Sequence, residues 1–157
     1  MPELRPIRAP RWAWWVTWPL TLAGLGISIY LTYEHYSGNK SLSCPASSHV
    51  DCLKVTTSSQ SMIFNHIPVA VVGLAYFVLA VFVMSPWSWK SGSPLLAWLR
   101  MAFGILPMGM VVYLVYVEAV QVKAICLWCT GVHIVQFLLF MSVLAAYLLR
   151  PLDPIES

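Results

Sequence analysis

The residues best suited to chemistry are the four cysteines, which fall into two pairs. Cys126 and Cys129 form a Cys-Leu-Trp-Cys motif, whereas Cys44 and Cys52 lie upstream in a polar stretch. A C-x-x-C at a helix start places two sulfurs about one turn apart, where the helix dipole favours thiolate. Because a thiolate attacks disulfides and electrophilic rings, the motif indicates redox chemistry. The motif alone leaves two alternatives, a static disulfide and a zinc site with all four cysteines as ligands.

A polar stripe accompanies the second cysteine pair. Spacings of three, four and three place four residues on one helical face: Cys126, Cys129, His133 and Gln136. Asn65 and Tyr76 share a face of an earlier apolar stretch. Polar groups at membrane depth are costly and usually line an interior site. An apolar pocket with a thiolate at its mouth suits a lipid-soluble quinone, although His133 as a satisfied interior residue and Asn65 as a helix cap remain alternatives.

The composition indicates that membrane-spanning helices hold these residues. The chain has 157 residues, of which 59% are hydrophobic and 10% charged, a balance that leaves a soluble domain too little surface charge. Apolar blocks of about 20 residues cross a bilayer core. We predict an all-α, single-domain membrane protein over residues 1–157 with an outer loop at about 34–61 that caps the site. Its four-helix bundle spans about 14–33, 62–84, 95–117 and 127–149. The first block follows arginines as a signal peptide does, but its length and tryptophans predict a retained helix.

The basic residues predict the orientation in the membrane. With the N-terminus inside, the cytoplasmic side holds Arg5, Arg8, Arg11, Lys90, Arg100 and Arg150. The outer side then holds Lys40, Lys54 and Lys123, and the positive-inside rule favours this arrangement. All four cysteines lie outside, where disulfides persist. The net charge of +3 is too small and too dispersed to indicate nucleic acid.

The outer loop is long enough to bring the two cysteine pairs together. About 28 residues extend to about 90 Å, so the loop reaches over the bundle mouth. We expect Cys52 beside Cys126 and Cys44 facing solvent, which makes two dithiols in series. Glu118 and Lys123 are predicted to form a rim pair at the outer surface rather than to act in catalysis.

Packing signals accompany these spans. Small residues recur at helical spacing on the first span, at Thr17, Thr21, Gly24 and Ser28, and predict close helix contact. On the third span Gly104, Pro107 and Gly109 predict a kink whose freed carbonyl groups are satisfied by neighbouring helices.

The order of these motifs resembles the vitamin K epoxide reductase family, in its bacterial, quinone-reducing branch. The matching stretches are Cys44, then Cys52-Leu53-Lys54-Val55 with Ser58, then Asn65-His66-Ile67-Pro68 with Gly73 and Tyr76, and finally Cys126-Leu127-Trp128-Cys129. They cover nearly the whole chain. The DsbB-type quinone reductases place their C-x-x-C in the earlier loop, so this order argues against them.

The resemblance implies a four-helix bundle around a quinone, capped by the first outer loop. It implies that Cys126 and Cys129 are the active-site pair and that Cys129 faces the quinone. Cys44 and Cys52 would relay electrons from a thioredoxin-like partner.

The resemblance also assigns the quinone-binding residues. Ser58 matches a hydroxyl residue near the active-site cysteines, and Asn65 matches an amide that hydrogen-bonds a quinone oxygen in vertebrate members. Tyr76 belongs to the same matching segment. His133 stands where those members have a tyrosine, and His66 stands where bacterial members commonly have glycine.

We therefore expect an enzyme that oxidises a thiol protein, passes two electrons to a quinone and needs no metal. The quinone would be menaquinone, ubiquinone or vitamin K, and the site would face the periplasm from a bacterial inner membrane. Many bacterial members carry a fused thioredoxin-like domain, for which this chain has no room. The expected partner is therefore a separate, DsbA-like periplasmic protein. The alternative is a non-enzymatic membrane scaffold whose outer loop is held by static disulfides.

Overall fold

The structure, a computed structural model, describes residues 10–38, 43–44, 47, 49–63 and 66–149. Its helices are α1 (Arg11–Ser37), α2 (Cys52–Thr56), α3 (Val69–Val83), α4 (Pro86–Lys90), α5 (Pro94–Tyr116) and α6 (Leu127–Leu148). A 3₁₀ turn (Ser59–Ser61) and a two-stranded hairpin, β1 (Met62–Ile63) with β2 (Ile67–Pro68), lie between α2 and α3. A π-helical segment (Val117–Val122) continues α5.

Within the described residues, three helices are long and apolar enough to cross a membrane, namely Arg11–Ser37, Pro94–Val122 and Leu127–Leu148. Helix α3 is also apolar but has only 15 residues, which rise about 22 Å. These helices indicate a helical membrane protein, as the composition predicted.

The second predicted span begins later than the sequence indicated. Residues 62–68 were predicted to be helical, but Met62 pairs with Pro68 and Ile63 with Ile67 in an antiparallel hairpin. Pro68 explains the difference, because a proline disfavours helical backbone at the residue before it. Pro68 itself is extended, with φ −60° and ψ 134°, and α3 begins at the next residue.

The third predicted span continues further than the sequence indicated. That span was predicted to end at about residue 117, but the π-helical segment runs through Val122. Lys123 ends it in the left-handed region, at φ 53°, and its N–H donates to the Glu118 carbonyl. This π-helical segment keeps Glu118 on the helix, close to the C-x-x-C motif.

Helix α1 packs against α3 and α6, and the predicted stripe of small residues on α1 is buried. Thr17, Thr21, Gly24 and Ser28 are all buried. The hydroxyl groups of Thr17 and Thr21 donate to the carbonyls four residues earlier, at 2.9 and 2.7 Å, so neither is left unsatisfied in the apolar interior. A Cβ at Gly24 would overlap the Phe77 ring of α3. The close contact of α1 and α3 therefore requires glycine at this position.

At the end of the helix bundle opposite the cysteines, Arg100 of α5 forms hydrogen bonds with α4. Its side chain is 1% exposed and donates to the carbonyl and hydroxyl oxygens of Ser88 at 2.8 and 2.9 Å. The guanidinium also lies 4.3 Å from the centroid of the Trp89 ring. The connection between α3 and α5 is thus a packed element rather than a free loop.

Candidate active site

A short backbone pairing brings the outer loop to the start of α6. Val50 forms a parallel β-bridge with Ile125, in which the Ile125 N–H donates to the His49 carbonyl at 2.9 Å. The Asp51 N–H donates in turn to the Ile125 carbonyl at 3.2 Å. Because cysteines follow both paired segments closely, this pairing places Cys52 and Cys126 in one buried cluster, 1% and 0% exposed.

The loop cysteines are joined to each other. Cys52 is the first residue of α2, and the Asp51 side chain caps that helix by accepting the Lys54 N–H at 3.0 Å. A disulfide links Cys44 to Cys52, with a Cα–Cα distance of 6.1 Å. Cys44 was expected to face solvent, but it is half-buried and packs against the same cluster. It is still the more accessible member of the disulfide.

The cysteines of the C-x-x-C motif are free thiols at the start of α6. Cys126 is the N-cap residue, and its sulfur accepts the Cys129 N–H at 3.4 Å. The side-chain hydrogen bond from Cys129 is the largest of the causes that lower the pKa of Cys126. Burial opposes it, and the negative charge of Glu118 does so to a smaller extent. Cys126 is therefore the thiol that the protein stabilises as a thiolate at the helix start.

Beneath the C-x-x-C motif lies a partly open cavity of about 320 Å³ between the helices. Its walls are mainly apolar and include Leu31, Val55, Met110, Val111, Leu114 and Val132. Its polar lining residues include Ser58, Tyr76, Glu118, Cys129, His133 and Gln136. Of the four cysteines, all of which the structure describes, Cys129 alone lines the cavity. An apolar space of this size with a few polar groups fits the ring of a lipid-soluble quinone.

The structure places the predicted quinone-binding residues as follows. Ser58, Tyr76 and His133 line the cavity together with Cys129. The Ser58 hydroxyl donates to the Val55 carbonyl at 2.8 Å, which holds it in the loop. Asn65 lies outside the described residues.

Tyr76 and Gln136 satisfy the carbonyl that a proline frees in α5. Pro107 has no N–H to offer the Phe103 carbonyl four residues earlier. The Tyr76 hydroxyl donates to that carbonyl at 2.7 Å, and the Gln136 amide approaches it at 3.3 Å. The Tyr76 hydroxyl also lies 2.7 Å from Gln136 Oε1. These contacts confirm that neighbouring helices satisfy the carbonyl freed by Pro107, and they engage the Tyr76 hydroxyl in shaping the cavity wall.

Glu118 corrects the prediction of a rim pair with Lys123. Glu118 is 7% exposed and lines the cavity, whereas Lys123 is exposed. A Glu118 carboxylate oxygen accepts the Cys126 N–H at 3.4 Å. The signal was present in the sequence, because Val111, Leu114 and Glu118 follow at helical spacing and all line the cavity. It was missed because the helix was predicted to end at residue 117.

The loop next to Cys44 is held by two aromatic residues that sequence reasoning did not single out. The Ser43 N–H donates to the Tyr30 hydroxyl at 3.1 Å, and the Ser43 carbonyl accepts the Trp128 indole N–H at 2.9 Å. The two rings contact each other with centroids 4.6 Å apart. We call Tyr30, Trp128 and Ser43 the loop latch. It ties the loop disulfide to the C-x-x-C motif, since Trp128 lies between Cys126 and Cys129.

Within the described residues, no group of three or more His, Cys, Asp or Glu side chains is arranged to hold a metal ion.

The fold and the site are those of a helical membrane protein with a dithiol beside a disulfide and above an apolar cavity. The family comparison makes the assignment specific: the Vitamin K epoxide reductase family profile matches residues 14–144, most of the chain. The chain belongs to the vitamin K epoxide reductase family, which confirms the resemblance found in the sequence. Family membership supports oxidoreductase activity with a quinone as substrate. A comparison with curated proteins finds no match.

Proposed function

We propose that the protein oxidises a thioredoxin-like partner and passes two electrons to a quinone, thereby supporting disulfide bond formation. The observation that carries this proposal is the placement of the C-x-x-C pair. Cys129 borders the apolar cavity, whereas Cys126 packs in the cluster that contains Cys52 of the loop disulfide. One dithiol therefore faces both an electron donor and the space for an acceptor.

The partner's electrons enter through the loop disulfide. A partner thiolate attacks Cys44, because Cys52 is 1% exposed, and this attack releases the Cys52 thiolate. The partner's second thiol then closes the partner's own disulfide and leaves both loop cysteines reduced. Cys52 next attacks the Cys126 sulfur of an oxidised C-x-x-C pair, and Cys44 closes on Cys52. The loop disulfide re-forms, and the C-x-x-C pair becomes a dithiol.

The structure corresponds to the state that follows this exchange, with the loop disulfide formed and the C-x-x-C thiols free. Oxidation of the dithiol then forms the Cys126–Cys129 bond and delivers two electrons and two protons to the quinone, which leaves as hydroquinone. Asn65, His133, Ser58 and Tyr76 are the proposed quinone-binding residues. The chain's task is to hold Cys129 against the ring in an apolar space.

The setting of this chemistry is also part of the proposal. We infer a single-domain bundle of four membrane spans, of which α3 is the shortest. We place this bundle in a bacterial inner membrane, with the cysteines facing the periplasm. The support is the uneven distribution of basic residues between the two sides. The quinone would be menaquinone, ubiquinone or vitamin K.

A static scaffold is the second candidate. It requires two permanent disulfides that hold the outer loop. Thiol trapping in cells separates the two functions. A relay shows its cysteines in more than one redox state, but a scaffold shows complete oxidation.

The direct test is quinone reduction by purified protein in detergent, with dithiothreitol as donor and a short-chain ubiquinone or menaquinone as acceptor. The proposal expects catalytic formation of hydroquinone. Cys129→Ser is the matched control, because serine keeps a hydroxyl but is a far weaker nucleophile near neutral pH. Turnover by the wild-type protein that equals the uncatalysed rate, or full activity in the Cys129→Ser variant, would contradict the proposal.

A further inference from the structure

Glu118 is a buried acidic side chain that contacts the active-site segment and the cavity at once. It is 7% exposed and lies at the start of the π-helical segment. Its carboxylate accepts the Cys126 N–H at 3.4 Å, and its side chain lines the cavity together with Cys129. Burying a carboxyl group is costly, and in membrane proteins such groups usually mark a functional pathway.

The two thiols of the C-x-x-C motif differ in how their protons can leave. Cys129 borders the cavity and can release its proton there directly. Cys126 is 0% exposed and does not line the cavity, so its own sulfur has no direct route to the quinone or to solvent. Oxidation of the dithiol nevertheless breaks both S–H bonds. The Cys126 proton therefore needs an acceptor that reaches the cavity.

We propose that Glu118 is the proton-transfer group of dithiol oxidation, which takes the Cys126 proton and passes it to a quinone oxygen in the cavity. The step balances: one S–S bond forms, two S–H bonds break, and two electrons and two protons reach the quinone, which becomes hydroquinone. Glu118 ends the step in the protonation state in which it began. This inference rests on the proposed function.

Electrostatics favours this exchange between neighbours. The hydrogen bond from Cys129 lowers the pKa of Cys126, whereas the negative charge of Glu118 acts in the opposite direction. A proton on Glu118 removes that repulsion, so thiolate at Cys126 and acid at Glu118 form together. The pair is thus arranged to share one proton.

Other titratable groups face the cavity from the neighbouring helices. His35 lies on α1, Tyr76 on α3 and His133 on α6. The Tyr76 hydroxyl is engaged with the Phe103 carbonyl and Gln136. Among the cavity-lining groups of the described residues, Cys129 and Glu118 are hydrogen-bonded to Cys126: Cys129 donates its N–H to the Cys126 sulfur, and Glu118 accepts the Cys126 backbone N–H. Because Cys129 is the other thiol of the pair, Glu118 is the neighbouring carboxyl group that supports the proposed path of the Cys126 proton.

The test replaces Glu118 with glutamine, which keeps the volume and an acceptor for the Cys126 N–H but cannot carry the proton. The assay is the single-turnover oxidation of dithiothreitol-reduced, desalted protein by a short-chain ubiquinone across pH. We expect Glu118→Gln to slow hydroquinone formation about 100-fold, as loss of a general acid–base group does, with little change in the quinone concentration for half-maximal rate. Its pH–rate profile should lose one ionisation, which Glu118→Asp should restore.

Glu34→Gln is the matched control, because Glu34 is a buried carboxyl group, 1% exposed, that does not border the cavity. It should keep the wild-type rate and pH profile. A Glu118→Gln variant with the wild-type rate and profile, or an equal loss in Glu34→Gln, would overturn the role of Glu118. Neither result would contradict the proposed function. A wild-type protein that reduces no quinone would overturn the proposed function and this inference with it.

A second measurement leaves Glu118 in place. Time-resolved infrared spectra of ¹³C-glutamate-labelled Glu34→Gln protein, recorded while a short-chain ubiquinone oxidises the dithiol, should show a transient change in a protonated carboxyl band, because Glu118 takes up the proton and then passes it on. This measurement decides the question if Glu118→Gln fails to fold, as judged by loss of the Cys44–Cys52 disulfide. The absence of any carboxyl change would overturn the inference.

Discussion

The loop latch predicts a defect confined to electron entry from the protein partner. Trp128→Phe removes the indole N–H that the Ser43 carbonyl accepts at 2.9 Å but keeps an aromatic ring beside Tyr30. The bond is solvent-exposed, so its loss costs about 0.5–1 kcal/mol. We call the loop closed when Ser43 is bonded to Trp128 and open when it is not. The ratio of closed to open loop should therefore fall about two- to fivefold. Tyr30→Phe, which removes the acceptor of the Ser43 N–H, should have an effect of similar size.

A disulfide-exchange equilibrium measures this ratio directly. With Cys44 and Cys129 both replaced by alanine, Cys52 and Cys126 are the cysteines that remain, and they lie in the same cluster. Their disulfide, equilibrated against glutathione, reports how often the loop brings them together. Trp128→Phe in this background should lower the equilibrium constant for the Cys52–Cys126 bond by the same two- to fivefold, as estimated from one lost hydrogen bond.

The matched control is Tyr33→Phe, a hydroxyl deletion at a residue of α1 that is 65% exposed. It should leave the equilibrium constant unchanged. In the otherwise wild-type protein, Trp128→Phe should slow turnover with a thioredoxin-like donor and spare turnover with dithiothreitol, which reaches the dithiol without the loop. Equal losses with both donors, or an unchanged Cys52–Cys126 equilibrium, would refute the latch.

Three further predictions test the relay, the thiolate and the quinone contacts. Cys44→Ala should stop electron flow from a protein donor yet retain much of the dithiothreitol-driven quinone reduction, and equal loss with both donors would contradict the relay order. The pKa of Cys126 is lowered mainly by the hydrogen bond from Cys129, so thiolate absorbance near 240 nm should appear at a lower pH than for an ordinary cysteine. That titration should move to higher pH in Cys129→Ala, and an unmoved curve would count against the hydrogen bond. Asn65→Ala and His133→Ala should each weaken the apparent quinone affinity by up to roughly tenfold, because one lost hydrogen bond costs about 0.5–1.5 kcal/mol. Unchanged quinone kinetics in both variants would leave these residues with packing roles.

The helical parts of the fold followed from composition, because apolar blocks have few structural solutions in a bilayer. The boundaries did not follow, since they depend on local backbone effects. Pro68 ends the extended hairpin and delays α3, while the π-helical segment extends α5 past residue 117. A π-helical turn has no strong sequence signature and commonly occurs at functional sites. Because the π-helical segment was not predicted, the position of Glu118 at the cavity was not predicted either.

The candidate site was predictable where spacing along one helix determines neighbours. Cys129 and His133 line the cavity as helical periodicity places them. Contacts between distant segments were not predictable in this way. The bridge between Val50 and Ile125 and the latch at Ser43 depend on how a long loop folds back. Loop length showed only that such contacts were within reach.

The burial of Cys52 and Cys126 explains why the proposed relay uses four cysteines. Cys44 is the more accessible member of the loop disulfide, and Cys129 is the cysteine at the cavity. Cys52 and Cys126, between them, are 1% and 0% exposed. In the proposed relay, the thiol of a partner protein therefore cannot reach the quinone's side of the dithiol without passing electrons through the buried pair, because thiol–disulfide exchange requires direct sulfur contact. In the proposed function, the same burial keeps the quinone from oxidising other protein thiols, so the partner protein is selected at Cys44 and at the loop latch.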